Sequence, residues 1–237
     1  MISKIVPSPA AAVADIPDGA TVMIGGFGRA GQPVELIDAL REHGAGGLTV
    51  INNNAGNGDT GLAALLAAGQ VAKMICSFPR QVDSHVFDAL YRAGRIELEL
   101  VPQGTLAERI RAAGAGIGAF FTPTGYGTEL AEGKEVRTIA GRPQVLEHAL
   151  HADYALVSAW RGDRWGNLVY RKTARNFGPI MASAARTTVA QVDRVVELGE
   201  LDPEAVVTPG IHVARLVPVP ERAWLRDGVF VGEGRAS

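Results

Sequence analysis

Gly26, Gly28 and Gly31 fit the spacing G-x-G-x-x-G within the run Asp18-Gly-Ala-Thr-Val-Met-Ile-Gly-Gly-Phe-Gly-Arg-Ala-Gly-Gln-Pro33. This spacing lets a backbone approach a phosphate closely, and a helix opening just after it turns free N–H groups toward the charge. A nicotinamide dinucleotide site also needs an acid about 20 residues further on, to hold the ribose hydroxyls. Asn52-Asn-Asn54 occupies that place, and the next acid is Asp59, beyond a glycine-containing turn. The glycines therefore predict a strand-to-helix turn offering N–H groups to a phosphate or an oxyanion, with a ligand-free turn and a Rossmann-type nucleotide-binding module as the alternatives.

Other chemistries find less support. The chain has no G-x-x-x-x-G-K-[ST] and no G-x-S-x-G, and the adjacency of Asp83, Ser84 and His85 says nothing about a triad. His148 and His151 have the spacing of one helical face but no further ligand nearby, so no metal site is expected. The only cysteine, Cys76, lies in an apolar stretch and reads as a buried small hydrophobe. Arg161, Arg164, Arg171, Lys172 and Arg175 gather near Trp165 and Tyr170, either as a solvated or subunit-contact surface or to meet an anionic group. Glu129, Glu132 and Glu135 read as a solvated face.

Short apolar runs alternate with helical patterns, which predicts α/β architecture: a mostly parallel sheet flanked by helices. Strands are expected at 21–24, 48–51, 71–78, 96–100, 154–159 and 168–170, with a hairpin excursion near 136–146. Helices are expected from Pro33 to Gly44, around Leu62–Leu66 as far as Gly69, from Val86 to Gly94, from a capping box at Thr105, and over 176–186. Residues 112–127 read as a long glycine-rich loop whose Phe120, Phe121 and Tyr126 shield a site or meet a partner.

With 237 residues, 47% hydrophobic, the chain suits a single domain with a core over about 16–217 and a peripheral C-terminal tail. A net charge of -2 leaves no footprint for nucleic acid or for an anionic membrane surface. No apolar stretch reaches membrane-spanning length, and one cysteine suits a reducing compartment, so a cytoplasmic protein is expected.

Over nearly their whole length, residues 16–217 resemble the A subunits of the family I (3-oxoacid) CoA-transferases. Asp18-Gly19, Gly25-Gly-Phe27, Gly31 and Pro33 stand where that family's signature puts them. Asn53-Asn-Ala-Gly56, Cys76-Ser-Phe-Pro-Arg80, residues 102–109, Asp163-Arg-Trp-Gly-Asn167 and Thr173-Ala-Arg-Asn-Phe177 fit as well. The resemblance implies a CoA-transferase / NagB-like fold and transfer of CoA from succinyl-CoA to a 3-oxo acid, without a permanently bound cofactor. Residues 56–66 and 87–94 are most similar to the branch whose acceptor is 3-oxoadipate; acetoacetate is the alternative acceptor. The family's nucleophilic glutamate lies in a Ser-Glu-Asn-Gly-type segment of a B subunit. This chain has no such segment, which implies half a site completed by a B partner in an A2B2-type hetero-oligomer. By the same resemblance, Gln103, Asn53 and Asn54 take supporting catalytic roles as donors and orienting groups. Gly25, Gly26, Phe27, Gly28, Arg29, Ala30 and Gly31 take the CoA and carbonyl contacts.

Overall fold

The computed structural model describes residues 2–81 and 83–219. A short helix, Pro9–Val13 (α1), is capped by the Ser8 hydroxyl, which accepts from the Ala11 N–H. There follow Thr21–Ile24 (β1), Val34–His43 (α2), Leu48–Ile51 (β2), Leu62–Ala67 (α3), Val71–Cys76 (β3), His85–Arg92 (α4), Glu97–Leu100 (β4) and Gln103–Gly114 (α5). Ala119–Thr122 (β5), Val136–Ile139 (β6) and Arg142–His148 (β7) form a small antiparallel sheet. The chain then enters Ala152–Asp163 (β8), Leu168–Val169 (β9), Gly178–Ala184 (α6), Ala185–Val196 (β10) and Arg215–Pro218 (β11).

The main sheet runs β11-β10-β8-β1-β2-β3-β4 with parallel pairing along this path, and β9 folds back antiparallel on β8. Its central strands are short apolar runs because both faces are covered. Val22 and Val50 point toward Leu36, Leu40, Leu62 and Phe87 on one side. Met23, Ile51 and Val157 point toward Leu106, Ile110 and Met181 on the other. Each face thus carries its own apolar layer, and the alternation of neighbouring side chains along a strand divides the residues between them.

The chain builds outward from β1 to β4, then returns to lay β8 against the opposite edge of β1. Neighbouring strand ends therefore lead their chains away in opposite directions. Outside the carboxyl ends of β1 and β8 this leaves the crevice where open α/β sheets hold ligands.

Several expectations shift at their edges. α2 starts at Val34 with Pro33 as its cap, and Gly44, left-handed, ends it by donating to the Leu40 carbonyl. α5 begins at Gln103, two residues ahead of the expected Thr105, and the Thr105 hydroxyl is buried without a partner. The expected loop at 112–127 shrinks, because α5 continues to Gly114 and β5 adds a third strand to the hairpin. His148 closes β7 and His151 precedes β8, so the two share no helix. Of the helix expected over 176–186, Gly178–Ala184 is helical; from Ala185 the chain is a long strand that pairs with β8. The expected tail beyond Val219 lies outside the described residues.

Candidate functional site

The carboxyl ends of β1 to β4 each deliver a loop to the same rim of the sheet. After β1, the Gly25 N–H donates to the Leu156 carbonyl of β8 at 2.9 Å, while Phe27 and Ala30 close a tight turn on each other at 3.0 and 3.2 Å. The N–H groups of Gly26, Gly28, Arg29 and Gly31 make no hydrogen bond to the described residues. Gly31 has φ +73°, and a Cβ there would stand 2.5 Å from the Ala174 carbonyl oxygen. Only glycine lets the turn (Lys172–Arg175) that follows β9 press so closely on this loop.

The free N–H groups lie in the loop rather than at the helix behind it. At the N-terminus of α2, Val34 donates to the Gln32 carbonyl and Leu36 to the Gln191 side chain of β10. Gln191 also donates to the Glu35 carboxylate, so the first turn of α2 is filled by protein groups with an acid among them. This overturns the expected helix N-terminus with N–H groups open to a phosphate.

After β2 come Asn52, Asn53 and Asn54, each 1% exposed. They divide their work. Asn52 donates to the Ile24 carbonyl at 2.6 Å and accepts from the Asn54 N–H at 2.9 Å, locking the end of β2 to the end of β1. Asn54 Oδ1 accepts from the Gly56 N–H, but its Nδ2 is buried without a partner. The Asn53 side chain makes no hydrogen bond to the described residues, and its Oδ1 is fully buried. Its backbone carbonyl is engaged, accepting from Ser77 and Phe78 after β3. Unpaired amides at a buried strand end carry a solvation penalty that a ligand would relieve.

Asn54 and the glycine loop line one small cavity together with Gln32, Gly56, Asn57 and Thr60. Gln103, exposed on the first turn of α5, stands apart from it on the same rim. Two strand spacings separate β4 from β2, or about 10 Å. Gln32, Asn52 and Asn57 are polar groups of this rim that the sequence alone did not single out, although the triple asparagine stands in plain view. Asn176 has no local signal: its Nδ2 donates to the Ala30 carbonyl at 2.9 Å from 146 positions away.

The basic cluster takes a different shape from the one expected. The guanidinium of Arg161 stands over the Trp160 ring at 3.9 Å and that of Arg171 at 5.5 Å, while Trp165 is exposed. Tyr170 is buried on Thr208 at 2.9 Å, and burial pushes its hydroxyl up to about 12. Burial likewise raises the Cys76 thiol to about 12, so Cys76 is a core group as expected. Phe120 and Phe121 lie half-buried in β5, where Arg137 covers the Phe121 ring at 5.1 Å. Glu129, Glu132 and Glu135 are exposed. Among the described residues no three metal-ligating side chains cluster, and no helix is long and apolar enough to cross a membrane.

A doubly flanked, mainly parallel sheet with a polar, glycine-lined crevice at its strand ends defines an α/β ligand-binding protein. Residues 6–218 match the coenzyme A transferase family model, and the chain belongs to that family. It is 70% identical to the A subunit of the 3-oxoadipate CoA-transferase of Pseudomonas putida over 219 residues, 92% of this chain and 95% of that one. It is 64% identical to the subunit of the same name from Acinetobacter baylyi, covering 92% of this chain and 96% of that one. In fold it is similar to an acyl-CoA transferase of E. coli O157:H7, solved as a thioester complex with CoA. The TM-score is 0.81 at 22% identity, over 96% of this chain and 49% of that longer one.

Proposed function

We propose that this chain is the A subunit of a 3-oxoadipate CoA-transferase, working with a B subunit in an A2B2-type assembly in the cytoplasm. The observation that carries this reading is the 70% identity, nearly end to end, with the Pseudomonas putida subunit of that name. In the proposed reaction a B-subunit glutamate attacks the succinyl-CoA carbonyl and expels the CoA thiolate, giving a succinyl–glutamyl anhydride. The thiolate attacks the glutamyl carbonyl, succinate leaves, and a glutamyl-CoA thioester remains. The 3-oxoadipate carboxylate resolves this thioester by the same two steps in reverse, so no resident cofactor is needed.

This chain's part is to meet the negative charge that appears on each attacked carbonyl oxygen. Preorganised donors in a site shielded from water serve that purpose best. We assign the donor and orienting roles to Asn53, Asn54 and Gln103, and the CoA and carbonyl contacts to the backbone of residues 25–31. The uncommitted N–H groups of that loop and the unpaired amides of Asn53 and Asn54 support this division. So does the fate of the buried carboxylates among the described residues: Glu147 pairs with Lys134 and Asp163 holds the turn at 165–167.

The test is CoA transfer from succinyl-CoA to 3-oxoadipate and to acetoacetate, by this chain alone and mixed with its B subunit. Activity in the mixture alone, with 3-oxoadipate preferred, is the expected result. Preference for acetoacetate would overturn the acceptor, and activity of the chain alone would overturn the half-site.

A further inference from the structure

Two hydrogen bonds meet on one carbonyl in the middle of the glycine loop. The Ala30 oxygen accepts from the Phe27 N–H at 3.0 Å, which closes the turn 27–30, and from Asn176 Nδ2 at 2.9 Å. That carbonyl shares its peptide unit with the Gly31 N–H, which makes no hydrogen bond to the described residues. Bonds accepted at one end of a peptide draw electron density to its oxygen and sharpen the donor at the other end. The Gly31 N–H is therefore a stronger donor than an ordinary amide. Asn176 is itself held rigidly. Its second amide hydrogen goes to the Thr173 carbonyl and its Oδ1 accepts from the Phe177 N–H. In the same turn Lys172 has φ +51°, one of two non-glycine residues with left-handed backbone among the described residues. Strain of this kind persists where surrounding contacts over-determine it, and it gathers at functional sites.

We propose that Asn176 is a positioning residue for CoA transfer: through the Ala30 carbonyl it fixes and strengthens the Gly31 N–H as a donor to the attacked carbonyl oxygen. The inference rests on the proposed function, which assigns the carbonyl contacts to the backbone of residues 25–31. It gives a chemical task to a side chain 146 positions from the carbonyl it binds. A donor fastened and polarised in advance needs no rearrangement when charge develops on the substrate oxygen, and that is where such a donor lowers the barrier. Asn176 touches no reacting atom, so its effect belongs in kcat, with the remote binding of CoA largely untouched.

Gln70 supplies the matched control. Its amide, 7% exposed, also donates to two carbonyls, those of Leu40 at 3.3 Å and Ala45 at 3.0 Å, but just ahead of β3 at the opposite end of the sheet. The experiment measures kcat and the succinyl-CoA KM of the wild-type A–B complex and of complexes carrying Asn176→Ala, Asn176→Ser or Gln70→Ala. All are assayed at a temperature where urea unfolding shows them folded. In N176A kcat should fall roughly 10- to 100-fold, the loss expected when one oxyanion donor is misplaced, while the succinyl-CoA KM moves far less. N176S keeps one hydroxyl donor and should lose less; it decides the matter if N176A does not fold. Q70A should lose stability much as N176A does and keep the wild-type kcat. A wild-type kcat in the Asn176 variants, or an equal fall in Q70A, would overturn the positioning role alone. A wild-type complex that transfers no CoA would bring down the functional reading and this role together.

Discussion

The side chain of Asn176 is bound to the carbonyl of Ala30: Nδ2 donates at 2.9 Å, joining the segment before α6 to the middle of the glycine loop. The same amide donates to the Thr173 carbonyl at 2.7 Å, and its Oδ1 accepts from the Phe177 N–H at 2.6 Å. One side chain thus shapes the turn that presses on Gly31 and fastens the loop beneath it. Asn176→Ala removes all three bonds and should cost about 2 to 3 kcal/mol at roughly 1 kcal/mol each. Asn176→Asp faces two carbonyl oxygens with a carboxylate and should cost more than the alanine. Urea unfolding of the three proteins checks the order, and reversal of it would show that the amide is not the clasp.

Two glycines of the loop separate backbone freedom from close contact. Gly28 has φ +59° with nothing within 4 Å of a would-be Cβ, whereas Gly31 has φ +73° and the Ala174 carbonyl in the way. Gly28→Ala should cost about 1 to 2 kcal/mol, the cost of a left-handed alanine. Gly31→Ala adds an overlap with backbone that cannot rotate aside, so it should cost clearly more and reduce CoA transfer further. Equal losses of stability in the two variants would remove the contact from the explanation.

The three asparagines after β2 should part company under substitution. Asn52→Ala breaks the bonds to the Ile24 carbonyl and the Asn54 N–H within the core, and should lower stability by about 2 kcal/mol. Asn53→Ala breaks no side-chain hydrogen bond to the described residues, so it should leave the urea midpoint nearly unchanged. If its amide is an oxyanion donor, kcat should fall on the order of 10²- to 10³-fold. Loss of stability without loss of kcat in Asn53→Ala would assign it to the fold instead.

These residues also mark how far the sequence could be read. The run from Thr21 to Ile51 shows its strands and helix plainly, because parallel strands covered on both faces are unbroken apolar stretches and Gly44 ends a helix visibly. The start of β10 was hidden by Ala182, Ala184 and Ala185, which suit a helix as well as a strand. What turns the chain at Ala185 is pairing with β8, a contact with residues more than thirty positions earlier. The site divides in the same way. Asn53, Asn54 and the glycine loop are contiguous motifs and stood out as candidates, although adjacency alone could not tell the locking role of Asn52 from the free amide of Asn53. Gln191 filling the first turn of α2, and Asn176 fastening Ala30, join residues about 150 positions apart, and no local pattern announces either.

Alkali should unfold the protein through two buried protons. Burial raises the Cys76 thiol from 9.0 to about 12, against a smaller lowering by the Phe78 N–H, and raises the Tyr170 hydroxyl from 10.0 to about 12. Both groups are neutral when protonated, so the folded state holds these protons more tightly than the unfolded state does. The stability they contribute is complete below about pH 9. It is lost as pH climbs from there toward 12, at up to about 1.4 kcal/mol per pH unit for each proton. Urea midpoints measured from pH 8 to 11 should therefore fall with increasing steepness. Tyr170→Phe should flatten the part of that fall above pH 10, and Cys76→Ala the part that begins near pH 9, whatever either change does to stability at pH 8. The same burial should keep Cys76 silent toward a thiol reagent at pH 8 until urea unfolds the chain. Prompt labelling of the native protein would show that the β3 end opens to solvent, and the Cys76 share of the alkaline loss would then disappear.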